Sequence, residues 1–84
     1  MLVVGVGEIQ AFLTAASPDQ GRDVRAWLGL VRAARWAAPA DVTAAFPNAT
    51  SASPAWTFPL AASGVVIEVT IEFRTGTVLV KKVK

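Results

Sequence analysis

Apolar and polar positions change their period once along this sequence, near residues 47–55. Before that point they recur at helical spacing; after it they alternate. Leu2 to Val4 is a short apolar run that reads as a first strand. Between Glu8 and Ala16, Ile9, Phe12, Leu13 and Ala16 share one face of an amphipathic helix. Ser17-Pro18-Asp19-Gln20-Gly21 is expected to stop it, with Asp19 or Asp23 starting the next. That second helix runs from about Arg22 to Trp36. At about 100° per residue, Val24, Trp27, Leu28, Leu30, Val31 and Ala34 fill one broad arc, and Arg22, Arg25 and Arg32 fall on its flank. Pro39 opens a short third helix with Asp41 in its first turn, where a carboxylate suits the helix dipole. Phe46-Pro47-Asn48 closes it, and Asn48 to Pro54 reads as small, polar and turn-like.

The second half predicts strands. Trp56, Phe58 and Leu60 alternate with Thr57 and Pro59, and the proline, lacking an N–H, marks a short or edge strand. Val65, Ile67, Val69, Ile71 and Phe73 alternate with Val66, Glu68, Thr70, Glu72 and Arg74. This is the signature of an antiparallel strand with one buried and one polar face. Arg74-Thr75-Gly76-Thr77 is a turn, and Thr77 to Val83 a last strand beside Lys81, Lys82 and Lys84. The order βααα-βββ predicts one domain over residues 1–84 of the α+β class. Its N-terminal strand and helices would pack on one face of a small antiparallel β-sheet.

Composition narrows the chemistry. The 84 residues include no histidine, cysteine or tyrosine. Zinc sites built from Cys and His, disulfides, cysteine nucleophiles and the serine–histidine triad are therefore excluded. The charged side chains are six carboxylates and eight cations, for a net charge of +2, which suits a polyanionic partner without demanding one. Much of the apolar content is alanine, and no run approaches the roughly 20 apolar residues needed to span a bilayer. The start lacks a basic region and a long apolar run, so no secretory signal is expected. Neither membrane, metal nor cofactor is expected, and the cytoplasm is the default location.

Candidate functional groups each have a plain structural alternative. Gly5-Val6-Gly7 lies between a strand and a helix like a nucleotide-binding turn, but the third glycine is missing and a tight turn explains it. Trp27, Trp36 and Trp56 are possible base-stacking platforms, yet helix and strand periodicity assigns them to the core or a lid. The Arg22, Arg25, Arg32 stripe is either a solvated helix face or an anion site. Glu68, Thr70, Glu72 and Arg74 stand in a row about 6.5–7 Å apart, beside the lysines of the last strand. Carboxylates next to cations on an open sheet can serve as general base and charge stabiliser in phosphodiester cleavage. The same row is equally what charges pairing across an exposed sheet produce. A third possibility is an assembly domain in which Trp56 and the Pro59 edge form an oligomer contact.

One longer pattern is more specific. Arg25-Ala26-Trp27-Leu28, Val31-Arg32-Ala33-Ala34-Arg35-Trp36, Pro39-Ala40-Asp41-Val42 and Phe46-Pro47-Asn48-Ala49 follow one another at fixed spacing. Together they resemble the RAW…W…PAD…FP-x-A run of HigB-type toxins in bacterial toxin–antitoxin systems, within the RelE/ParE superfamily. Ile71-Glu72-Phe73-Arg74-Thr75-Gly76-Thr77-Val78-Leu79-Val80-Lys81 is similar to that family's terminal hairpin. The resemblance covers nearly the whole chain.

It implies a RelE-like fold, with helices on an antiparallel sheet whose other face meets RNA. It implies a metal-independent endoribonuclease, or mRNA interferase, that cuts messenger RNA on the ribosome. A helix-turn-helix antitoxin would be the partner. A base would help the ribose 2′-hydroxyl attack the adjacent phosphate while cations hold the developing charge. Arg74 matches the family's hairpin arginine, and Lys81 its arginine on the last strand. Glu68 or Glu72 would serve as base, with Lys82, Lys84, Arg22, Arg25 and Arg32 as RNA contacts. The sequence departs from the family at Gly64 and Val66, where basic residues are usual. It also holds none of the histidine- and tyrosine-containing tail that follows the hairpin in the family. The resemblance therefore implies a truncated chain, a degenerate toxin that binds without cutting, or a base role transferred to glutamate.

Overall fold

The computed structural model describes residues 1–52 and 54–84. The chain is α+β: a five-stranded sheet with three helices against one face. Its elements are β1 (Leu2–Val4), α1 (Val6–Ala15), α2 (Pro18–Ala33), α3 (Pro39–Ala45), β2 (Thr50–Ala52), β3 (Ala55–Leu60), β4 (Val65–Glu72) and β5 (Thr77–Val83). Strand order across the sheet is β1-β5-β4-β3-β2.

Three features differ from the sequence expectation. The sheet is mixed, because β1 runs parallel to β5, with Leu2 opposite Thr77 and Val4 opposite Leu79; the other neighbours are antiparallel. The turn-like segment before residue 53 contains a strand, β2, whose three residues are all exposed. It has no apolar alternation to announce it and exists through its ladder with Ala55–Thr57 of β3. Helix α2 begins four residues before Arg22 and ends three before Trp36. Ser17 does not merely stop α1. Its hydroxyl accepts the Gln20 N–H at 3.2 Å while Gln20 Oε1 accepts the Ser17 N–H at 3.0 Å, with Pro18 next in line. This reciprocal cap satisfies two otherwise orphaned donors and fixes the helix start. At the far end, the Met1 amino group donates to the carbonyls of Val31, Arg32 and Ala34. Asp41 Oδ2 starts α3 by accepting the N–H groups of Ala37 and Ala38 at 2.8 and 3.2 Å.

The core lies between the helices and one sheet face. Trp56 and Phe58 of β3, Val65, Ile67, Val69 and Ile71 of β4, and Val78 and Val80 of β5 meet Ile9, Val24, Trp27, Val31, Trp36 and Val42. Phe58 is its hub. Trp27 and Phe46 meet it edge-on at 5.5 and 5.2 Å, and Trp36 and Trp56 stack on it at 6.3 and 6.5 Å. All three tryptophans are thus core residues and offer no stacking surface. Every buried side chain among the described residues is apolar.

Two local conformations explain residues the sequence singled out. Gly5 has φ +83°, and a Cβ there would sit 2.7 Å from the Val80 carbonyl oxygen. The β1–α1 turn therefore needs glycine for both backbone shape and room, whereas a Cβ at Gly7 would meet nothing within 4 Å. Val66 exchanges both backbone hydrogen bonds with Lys84, at 2.8 and 2.9 Å. Its partner across the other side, Pro59, therefore turns its N-lacking edge away from β4. Since β2 pairs only with Ala55–Thr57, Pro59 lies on the open stretch of that edge. No helix among the described residues is long and apolar enough to cross a membrane.

Candidate nucleic-acid interface

The sheet face away from the helices carries the polar alternates of β3, β4 and β5, and β5 supplies its cations. Regular alternation would place Lys81 outward, Lys82 inward and Val83 outward. The structure avoids this with a β-bulge. Val80 faces Val69 and Lys82 faces Glu68, so Lys81 is an extra residue between two consecutive pairs. Lys81 and Lys82 are both exposed, Lys82 on the open face opposite Glu68, and Val83 returns to the core side opposite Ile67. The bulge converts a two-residue rhythm into two adjacent exposed cations, neither of them turned into the core. A sequence signal for it existed: the apolar spacing Val78, Val80, Val83 breaks from two to three.

Lys84 completes the group. Its Nζ lies 2.8 Å from Oε2 of Glu68, the residue directly opposite Lys82. Among the described residues this corner holds three lysines and one facing carboxylate. The Lys84 ammonium beside it holds the Glu68 carboxyl below its ordinary pKa; partial burial opposes this and Lys82 adds to it. A general base at neutral pH needs the opposite shift, towards 7. The geometry makes Glu68 a counter-ion to the lysines.

The other expected site residues are placed elsewhere. Arg74 sits in the β4–β5 turn, where its N–H donates to Glu72 Oε1 at 3.2 Å. Glu72 is the last residue of β4, opposite Thr77. Thr77 is four strand positions from Lys81, roughly 13 Å away. Arg74 and Glu72 therefore occupy the opposite end of the hairpin from Lys81, Lys82, Lys84 and Glu68. Arg22, Arg25 and Arg32 are exposed on α2, in the helical layer behind the sheet. Arg22 pairs with Asp19 one turn earlier, and the Arg25 guanidinium folds back over Gly21. The fold thus separates the predicted residues into a lysine corner, a hairpin tip and a helix stripe.

The open face also has an apolar part. Leu2 and Val4 of edge strand β1 are 65% and 42% exposed beside half-buried Leu79. On the helix side a groove of about 220 Å³ is lined by Trp27, Leu30, Phe46 and Leu60, with Asp23 as its one ionisable group. It lacks the acid–base pair or cations that phosphodiester chemistry requires.

No family model matches the sequence, and no curated protein matches it significantly.

Proposed function

We propose that this chain is a HigB-like toxin of a toxin–antitoxin system, acting in the cytoplasm and meeting RNA through the lysine corner of its open sheet face. The observation carrying this reading is the bulged end of β5. It sets Lys82 and Lys84 beside a single carboxylate, with exposed Lys81 next in sequence, at a sheet end that the helices leave uncovered. Such a corner attracts a polyanion and holds backbone phosphates. The RAW…W…PAD…FP run and the α+β order support the family part of the reading. Its function would be that of an mRNA endoribonuclease working on ribosome-bound message without a metal and inhibiting translation. A helix-turn-helix antitoxin would restrain it.

A second reading keeps the fold and the RNA contact but not the cleavage. The ion-paired, weakly basic Glu68 and the distance from Arg74 to the lysines favour it. The products separate the two. Attack of the 2′-oxygen on the adjacent phosphorus expels the 5′-oxygen and leaves a cyclic-phosphate end, which a binding module never generates. Cleavage should appear on ribosome-bound message and vanish in Arg74→Ala if the hairpin arginine holds transition-state charge. Replacing Lys81, Lys82 and Lys84 together with alanine should lower the slope of RNA affinity against salt by about 2, at roughly 0.7 per phosphate contact on a single strand. An unchanged slope removes the lysine corner from either reading.

A further inference from the structure

The Glu68–Lys84 pair has the geometry of an occupied anion site. Oε2 of Glu68 has no accessible surface left and lies 2.8 Å from the Lys84 ammonium, while the side chains stay 38% and 56% exposed. Lys82 stands opposite the same glutamate on the neighbouring strand. A carboxylate oxygen and a non-bridging phosphodiester oxygen are interchangeable acceptors for an ammonium group. We propose that Lys82 and Lys84 form a phosphodiester subsite whose resident occupant is the Glu68 carboxylate, so that an RNA backbone phosphate binds by displacing Glu68. This rests on the reading of the open face as RNA-facing.

Displacement is inexpensive. An exposed lysine–glutamate pair contributes little to stability, and water replaces the partner each group loses. An incoming RNA phosphate brings neighbours that reach Lys81 and releases condensed counterions, which the single carboxylate does not. Glu68 therefore works as a built-in competitor. It keeps isolated anions off the corner and sets a threshold that a chain of phosphates crosses. It also defines what the corner selects, since a lone carboxylate ligand offers nothing that Glu68 does not already supply.

The test compares Glu68→Gln with wild type and with Glu8→Gln, using a fluorescein-labelled short single-stranded oligoribonucleotide read by anisotropy. Glutamine keeps the size and exposure of Glu68 but removes its charge. Glu8 lies in the first turn of α1, in the helical layer, so its replacement changes net charge equally without touching the corner. At about 0.1 M salt, where charge effects fade over roughly 10 Å, Glu68→Gln should bind about three- to ten-fold tighter and Glu8→Gln by a clearly smaller factor. The salt slope of Glu68→Gln should match that of wild type, because the same lysines hold phosphates once Glu68 has been displaced. Equal or weaker binding by Glu68→Gln overturns the subsite, as does equal tightening by both variants. Absence of binding by both wild type and Glu68→Gln overturns it too. The underlying reading is judged separately on Lys81→Ala/Lys82→Ala: if that variant binds like wild type, RNA does not use this corner, whatever Glu68 does.

Discussion

Deleting Lys81 should leave the protein folded, because the bulge makes that residue additional to the ladder. Without it, Val80 still faces Val69, Lys82 still faces Glu68 and Val83 still faces Ile67, now in unbroken alternation. No core side chain changes sides. The stability change is then the difference between a bulged and a regular pair, about one net hydrogen bond of 1 kcal/mol in either direction. With an unfolding entropy of about 2.1 cal/mol/K per residue, 84 residues convert that into a Tm within about 6 °C of wild type. Deleting the neighbouring Val80 is the control. It brings Lys81 opposite Val69, on the side where Val69 and Val78 are 1% and 0% exposed. Burying an unpaired ammonium costs several kcal/mol, comparable to the roughly 4–13 kcal/mol a domain of this size possesses. Thermal denaturation followed by circular dichroism should show one cooperative transition near the wild-type Tm for the Lys81 deletion and none for the Val80 deletion. A loss of more than about 12 °C on deleting Lys81, or normal melting on deleting Val80, would refute the bulge assignment. RNA titrations give an independent readout: the Lys81 deletion should lower the salt slope by about 0.7, one phosphate contact.

Glycine and aromatic substitutions probe the rest of the frame. Gly5→Ala puts a Cβ against the Val80 carbonyl at positive φ and should cost about 2–4 kcal/mol, whereas exposed Gly29→Ala in α2 meets nothing and should raise Tm by about 3–6 °C. Phe58→Leu removes the ring that four aromatic neighbours contact and should cost about 3 kcal/mol, with tryptophan emission moving to longer wavelength at lower denaturant than in wild type. The lowered pKa of Glu68 gives a pH signature. Its contribution is complete above the ordinary glutamate pKa of about 4.3 and is lost as pH falls through the lower folded value. The Tm difference between wild type and Glu68→Gln should thus be constant near neutrality and shrink below about pH 4. A difference that instead grows on acidification would contradict the ion pair.

Most of the fold was legible wherever a side chain has to choose a face. The alternation of β4 and the arc of α2 both report burial: Val65, Ile67, Val69 and Ile71 are buried as read, and so are Val24, Trp27 and Val31. Leu30 of the same arc, however, is 61% exposed, and β4 ends at Glu72. Features lacking such a pattern were not legible. β2 buries nothing, so its strand character comes from β3 across the ladder. The parallel pairing of β1 with β5 depends on residues more than 70 positions apart in sequence. At Ser17 the sequence contained the information, since serine followed by proline and then glutamine at the third helical position is a helix start. The site was legible in composition but not in grouping. Lysines in the last strand pointed to a cationic sheet end, yet a row at strand spacing gave no hint that Arg74 leaves the strand at the turn. Nor could it show which glutamate pairs with Lys84, since that contact depends on a register the bulge resets.

The arrangement of apolar and charged residues has a consequence for testing any function of the open face. All of the buried side chains described are apolar, and the aromatic hub lies entirely on the helix side. The lysine corner contributes no core contact. Its one ion pair is exposed, so it contributes little to stability. Site and scaffold are thus carried by opposite faces of the same strands, with alternation as the only link. Substitutions at Lys81, Lys82, Lys84 and Glu68 should therefore change affinity and salt dependence while leaving Tm within about 3–6 °C, a shift of roughly 1 kcal/mol or less. Substitutions at Val78, Val80 and Val83, interleaved with the lysines on β5, should do the reverse, lowering Tm and leaving the salt slope of the remaining folded protein intact. If an alanine at Lys82 unfolded the protein, the two faces would not be independent, and loss of RNA binding there would no longer identify a contact.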